Sequence, residues 1–217
     1  MCKRKDPALY PQLIAITGGL GSGKSSVLSI LKAKGYECID VDQFAKEVLE
    51  HDQGAINEVI RHFGEDALRS DRKVDRKRLR EMIIADEEKR SALEAIIHPR
   101  VMARLRKELC NCIEKGQGPY IFVEVPLLFE VGWERYFDLV VCVRADVEKS
   151  VARIARRHNI DASTARDWLS LQMSIEEKMK RSQYVIENSG DRGALVQAVE
   201  KMLEWLEQEK AACRRCC

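Results

Sequence analysis

"LIAITGGLGSGKSSVLSIL", residues 13–31, runs from an apolar stretch through a burst of glycines to Lys-Ser-Ser and a second apolar stretch of different spacing. Leu13 to Thr17 has the length and bulk of a buried strand, whereas Val27, Leu28, Ile30 and Leu31 recur at helical spacing. Between them, Gly18 to Ser25 fits G-x-x-x-x-G-K-[ST], the phosphate-binding loop pattern. Glycines permit positive φ and close approach, so successive backbone N–H groups can point inward at phosphate oxygens. The helix that follows adds unpaired N–H groups and its positive dipole end. Gly19, Leu20, Gly21, Ser22, Gly23, Lys24, Ser25 and Ser26 are therefore the expected nucleotide-binding residues. Lys24 would reach the β- and γ-phosphates, and the Ser25 hydroxyl would take a position on Mg²⁺. A glycine-rich turn without a ligand is the weaker reading, because the match falls between a strand and a helix. The chain is expected to bind a nucleoside triphosphate.

The 217 residues fit one domain with elaborations and can bury a full core. The 37 basic and 35 acidic residues nearly cancel, which argues against a dedicated nucleic-acid binder. Charge clusters in "RSDRKVDRKRLRE" (Arg69 to Glu81), where it alternates with acids; a solvated helix face is favoured over an anionic ligand site. No stretch reads as a targeting or membrane segment. Eight cysteines would suit a much shorter secreted scaffold, but a nucleotide-binding loop implies a reducing, cytoplasmic setting with free thiols. Cys38 and Cys142 lie in apolar strand-like runs and read as core. The tail "CRRCC" supplies only two thiols at zinc spacing and no partner pair, so a disordered tail is favoured over a metal site or a lipidation signal.

Further along, "YECIDVD" (Tyr36 to Asp42) reads as a second strand ending in two acids. From Gln43 to Lys115 apolar residues recur at helical spacing with no convincing strand, and His98-Pro99 marks a break with Pro99 as a first helical residue. "YIFVEVP" (Tyr120 to Pro126), "FDLVVCV" (Phe137 to Val143) and "YVIEN" (Tyr184 to Asn188) read as three more strands, with a last helix from about Arg192 to Lys210. Strands alternating with helices imply an α/β fold, a parallel five-stranded sheet covered on both faces. The long connection between the second and third strands is a helical insertion, placed to hold a second substrate where strands end.

Three clusters could carry the transfer of a phosphoryl group. Asp40 and Asp42 would share a face if the strand stays regular, and one carboxylate could accept a hydroxyl proton. The alternative is capping, with Asp42 a plain N-cap or Asp40 and Gln43 a capping box. Glu124, an acid in an apolar strand, either holds a Mg²⁺-bound water or the acceptor hydroxyl, or is a strand-end acid paired with an arginine. Arg153, Arg156 and Arg157 lie on one helix and either fold over a triphosphate or form a solvated surface.

"ITGGLGSGKS", "IDVDQFAKEVLE", "DRKRLREMIIADEEKRSALEAIIHPRV", "VEVPLLFE" and "VIENSG" together resemble the dephospho-CoA kinase family, over nearly everything from Leu13 to Glu207. The resemblance is specific, because the His-Pro and Pro-Leu-Leu-Phe-Glu stretches are not general features of phosphate-loop proteins. It implies a P-loop kinase core over 12–42 and 117–210 with a small lid near 150–165. It also implies a helical acceptor insertion over 43–116, leaving 1–11 and 211–217 as tails. The implied reaction moves the γ-phosphate of ATP, with Mg²⁺, to the ribose 3′-hydroxyl of dephospho-CoA. Asp42 is then the implied base and Arg153 and Arg157 the implied lid arginines, beside Lys24 and Ser25 of the loop; Glu124 stands where the family pattern varies, so the resemblance leaves its role open. His98, Pro126 and Leu127 fall where the acceptor pocket is shaped. The implied partners are small molecules only, without nucleic acid or membrane, and the implied state is a monomer. A nucleoside monophosphate kinase fits the insertion less well, and a nucleotide switch would usually carry an N-K-x-D motif, which this chain lacks.

Overall fold

The computed structural model describes residues 11–84, 86–116 and 118–215. Five strands, β1 (Gln12–Gly18), β2 (Glu37–Asp40), β3 (Tyr120–Glu124), β4 (Leu139–Arg144) and β5 (Tyr184–Glu187), form one sheet in the order β2-β3-β1-β4-β5. The β1–β3, β1–β4 and β4–β5 ladders are parallel. Parallel neighbours require crossovers, which helices supply. The helices are α1 (Lys24–Ala33), α2 (Val41–His51), α3 (Gln53–Phe63), α4 (Arg76–Ile84), α5 (Glu87–Lys115), α6 (Val147–His158), α7 (Ala162–Ser170), α8 (Ile175–Lys180) and α9 (Arg192–Arg215). This is the α/β parallel sheet that the sequence implies.

Leu13 through Thr17 are all buried, as an unbroken apolar run must be when a parallel strand is covered on both faces. On one side of the sheet Ile14, Ile16, Tyr120, Phe122, Val141 and Val143 meet Val27 and Leu31 of α1. Leu195, Val199, Met202 and Leu206 of α9 complete that cluster, at the three- and four-residue spacing that puts them on one helix face. An ion pair between Lys34 and Glu200, at 2.7 Å, ties the end of α1 to α9.

Two compact units divide the chain: Asp40–Gly116 is one, and the described parts of the other are 11–39 and 118–215. In the first, Asp52 caps α3 by accepting from the Ala55 N–H at 2.9 Å, and Asp86 caps α5 through the Lys89 N–H at 3.1 Å. The helix α5 runs for 29 residues with Pro99 inside it, so the expected break at His98-Pro99 does not occur. Proline there removes one backbone donor and crowds the preceding turn. The Ile96 carbonyl in that turn accepts from the Arg100 guanidinium at 2.6 Å, and Arg100 is held in turn by Glu58 at 2.9 Å and Asp52 at 3.4 Å. Buried Leu93 and Ile96 before the proline, with Val101 and Leu105 after it, keep both halves packed as one element.

Three further expectations change. Strand β2 ends at Asp40, and Val41 already begins α2, so Asp42 belongs to a helix. The charged run from Arg69 is only partly helical: Leu68 and Val74 form an antiparallel bridge, and α4 starts at Arg76. Its charges are solvated and paired at the surface, with Arg69 3.3 Å from Asp71 and Arg76 3.7 Å from Glu50. Finally, α9 continues to Arg215, past the expected start of a disordered tail at residue 211; the alanines and arginines there are strong helix formers. Cys216 and Cys217 lie outside the described residues, as do residues 1–10 of the expected N-terminal tail. Among the described residues no helix is long and apolar enough to cross a membrane.

Candidate active site

The register of the sheet brings the loop after β1 to its working position. Gly18 lies opposite Val143 of β4, and Ile16 lies opposite Glu124 of β3. The loop therefore leaves the carboxyl edge of the central strand with a carboxylate on one side, the place where open α/β sheets bind ligands. Three glycines are required there, Gly18, Gly21 and Gly23, and a Cβ on Gly21 (φ +73°) would stand 2.7 Å from the Ser150 carbonyl oxygen. A Cβ on Gly18 (φ +143°) would stand 2.1 Å from the Val143 carbonyl oxygen, and one on Gly23 (φ +93°) would stand 2.1 Å from the Asn188 amide nitrogen. Gly23 also serves as the N-cap of α1 in a left-handed conformation, which turns the chain from the loop into the helix.

Lys24 is buried, and its ammonium donates to the carbonyls of Gly18 and Gly19 at 3.1 and 2.9 Å. A cation is thus held at the throat of the loop by its own backbone. Ser25 and Ser26, the next residues of α1, are exposed. The side chain of Leu20 packs instead against Val151, Ile154 and Ala165, tethering the crest of the loop to α6 and α7.

Beside the loop, the Ser25 hydroxyl lies 3.4 Å from Oε1 of Glu124, whose residue is buried at the end of β3. A hydroxyl and a carboxylate, both hard oxygen donors at the start of a phosphate-binding helix, form a donor set that fits Mg²⁺. The residues present therefore suit the metal that the chemistry of the loop calls for.

On the opposite side the loop is held by two residues. Asn188, buried just after β5, donates its side-chain amide to the Ser22 carbonyl at 2.7 Å, and its backbone N–H to the Arg144 carbonyl at 2.7 Å. Arg153 on α6 donates to the Gly21 carbonyl at 3.2 Å and to the Asn188 carbonyl at 3.3 Å. Arg153 and Arg156 also line a cleft of about 440 Å³ with Gly23, Asn188, Asp191 and Arg192, whereas Arg157 is exposed and does not line it. Asn188 closes an apolar strand and lies within "VIENSG", but neither feature by itself assigns it, or residues 190–195, to the site.

Pro126 and Leu127 open the turn after β3. The Pro126 carbonyl accepts from the Thr17 hydroxyl at 3.4 Å and from the Lys178 ammonium at 2.8 Å. In the Asp40–Gly116 unit, Oδ1 of Asp40 accepts from the Gln43 N–H at 3.2 Å and caps α2, while Asp42 lies exposed in its first turn. The two acids are therefore not on one strand face. The Gln43 side chain donates to Glu47 at 3.1 Å. His98 is half-buried on α5, and burial lowers its imidazole pKa against an opposing pull from Glu94.

A lysine held at the throat of a glycine loop, with a serine–carboxylate pair at the start of the helix that follows, defines a nucleotide-dependent phosphotransferase of the P-loop class. Residues 12–193 match the sequence profile of the dephospho-CoA kinase (CoaE) family, and the chain belongs to that family. Dephospho-CoA kinase of Anaeromyxobacter dehalogenans is 36% identical over 192 residues, covering 88% of this chain and 90% of the relative. A crystal structure from Thermus thermophilus superimposes with a TM-score of 0.76 at 35% identity, covering 91% of this chain and 98% of that one. Dephospho-CoA kinase from Campylobacter jejuni superimposes with a TM-score of 0.65 at 25% identity over the same shares.

Proposed function

We propose that this kinase transfers the γ-phosphoryl group of ATP to the ribose 3′-hydroxyl of dephospho-CoA, giving coenzyme A and ADP. Family membership over residues 12–193 is the observation that carries the acceptor. The loop with Lys24 at its throat supports the donor.

In this reading the backbone N–H groups of residues 19–26 receive the phosphates, and the Lys24 ammonium exchanges the Gly18 and Gly19 carbonyls for β- and γ-oxygens. Ser25 and Glu124 would hold Mg²⁺, which would supply charge neutralisation to the triphosphate. Asp42 orients the attacking hydroxyl and accepts its proton late, in a loose transition state. What supports this choice is that Asp40 already supplies the cap of α2. Arg153 steadies the loop and, with Arg157, neutralises the transferring group. His98, Pro126 and Leu127 shape the acceptor pocket, a role supported for the last two by their place after the carboxyl end of β3.

The enzyme in this proposal works in the cytoplasm as a monomer. Cys38, Cys110 and Cys142 are free thiols, which suits a reducing compartment. The test offers the pure protein ATP and Mg²⁺ with dephospho-CoA, AMP, CMP or shikimate in turn. ADP release is expected with dephospho-CoA alone; release with another acceptor, and none with dephospho-CoA, would overturn the assignment.

A further inference from the structure

Lys178 on α8 has 0% of its side chain exposed. A buried ammonium is costly unless it is paired and hydrogen-bonded. Both of its partners lie in one turn: the Pro126 carbonyl and Oε1 of Glu130, each at 2.8 Å. Filling space cannot be the reason for the charge, because a methionine has similar reach, and apolar replacement of buried ion pairs is often neutral or stabilising.

The same turn is gripped from other sides. Thr17, the residue before the phosphate loop, donates to the Pro126 carbonyl, and the Val125 N–H donates to the Ile16 carbonyl at 2.9 Å. Glu130 also accepts from the Met173 N–H at 3.1 Å, and the Arg181 guanidinium lies 4.4 Å from the centre of the Phe129 ring. Two residues before Pro126 stands Glu124, beside Ser25. Lys178 thus bonds both ends of a five-residue turn whose first residue is tied to β1 and whose approach carries the metal-side carboxylate.

We propose that Lys178 is a positioning residue for the acceptor: it fixes the Pro126–Glu130 turn relative to Glu124, so that the acceptor pocket keeps its distance from the transferring phosphate. The inference rests on the reading of Pro126 and Leu127 as acceptor-pocket residues. Lys178 touches no reacting atom and acts through the turn.

The experiment compares wild type, Lys178→Met and Lys178→Met/Glu130→Met in steady-state kinetics, with KM measured separately for ATP and dephospho-CoA and Tm recorded for each. Lys178→Met should raise the KM for dephospho-CoA roughly ten- to hundredfold through misplacement of the turn, with the KM for ATP nearly unchanged. The double variant leaves no unpaired charge buried, so it should recover Tm while the KM for dephospho-CoA stays raised. If Lys178→Met does not fold, the double variant carries the comparison. Equal shifts in both KM values, or a double variant with wild-type KM for dephospho-CoA, would reduce Lys178 to a stability element and overturn the proposal. A wild type that does not phosphorylate dephospho-CoA would overturn the functional reading as well, whereas an active wild type with an unmoved KM in the variants overturns the positioning role alone.

Discussion

Asp40 accepts the Gln43 N–H at 3.2 Å and closes the N-terminus of α2, which leaves Asp42, two residues further on in the first turn, outside that N-cap position. The two neighbouring acids can therefore be separated by experiment. Asp42→Asn keeps shape and removes charge and proton acceptance; it should cut kcat by about 10²–10⁴, the usual share of a general base. ATP binding should be retained. Asp40→Asn is as good a cap as aspartate and should leave kcat near wild type, while Asp40→Ala should cost about 1 kcal/mol of stability. Near wild-type turnover in Asp42→Asn would pass the role to Glu124.

The lid arginines are expected to differ. Arg153 donates to the Gly21 and Asn188 carbonyls, so it braces the loop in the resting geometry, and Arg157 is exposed. Arg153→Ala removes charge-assisted hydrogen bonds and should raise the KM for ATP as well as lower kcat, with kcat/KM down roughly 10- to 100-fold. Arg157→Ala should act on kcat with little change in the KM for ATP, as loss of transition-state charge stabilisation does. Identical kinetic patterns in the two variants would contradict this division.

His98 supplies a pH test of the helical unit. Burial holds its imidazole pKa below the ordinary 6.5. The unfolded chain then binds the proton more readily, so the stability contributed by neutral His98 is present above pH 6.5 and lost as pH falls through the lowered value. Wild type should lose stability on acidification faster than His98→Gln, by at most about 1.4 kcal/mol per pH unit for one proton. Chemical denaturation of both proteins between about pH 7.5 and pH 5.5 checks it; parallel curves would mean that His98 does not carry the dependence.

What was legible in the sequence was local. The loop from Gly18 to Ser25 needs only adjacent residues, and an apolar run flanked by it could only be a buried strand, so the central strand and the parallel sheet were readable. Element ends were less so. Asp40 and Gln43 carry a cap signal, yet the strand-like run before them hides where the helix begins, so both acids fit the strand pattern equally well. Pro99 obeys the local rule for a helix start, but packing on both sides and the Arg100 guanidinium at the Ile96 carbonyl hold α5 together. Long-range partners were invisible: Lys178 meets Pro126 across 52 positions, and Asn188 meets Ser22 across 166. A lysine in "SIEEKMK" reads as solvated until the fold buries it. The arginine choice shows the same limit, since helical spacing groups Arg153 and Arg157 but cannot say which of them meets the loop.

The central claim is direct transfer from ATP to the ribose 3′-oxygen, and the measurement that tests it follows the γ-phosphate itself. The protein is incubated with dephospho-CoA, Mg²⁺ and ATP labelled in the γ-phosphoryl group, and the product is separated and its phosphate located by phosphorus NMR. The account predicts label on the ribose 3′-oxygen of coenzyme A, in amounts matching the ADP formed, and none after Lys24→Ala. Label appearing as inorganic phosphate, or on another oxygen of the acceptor, would contradict it.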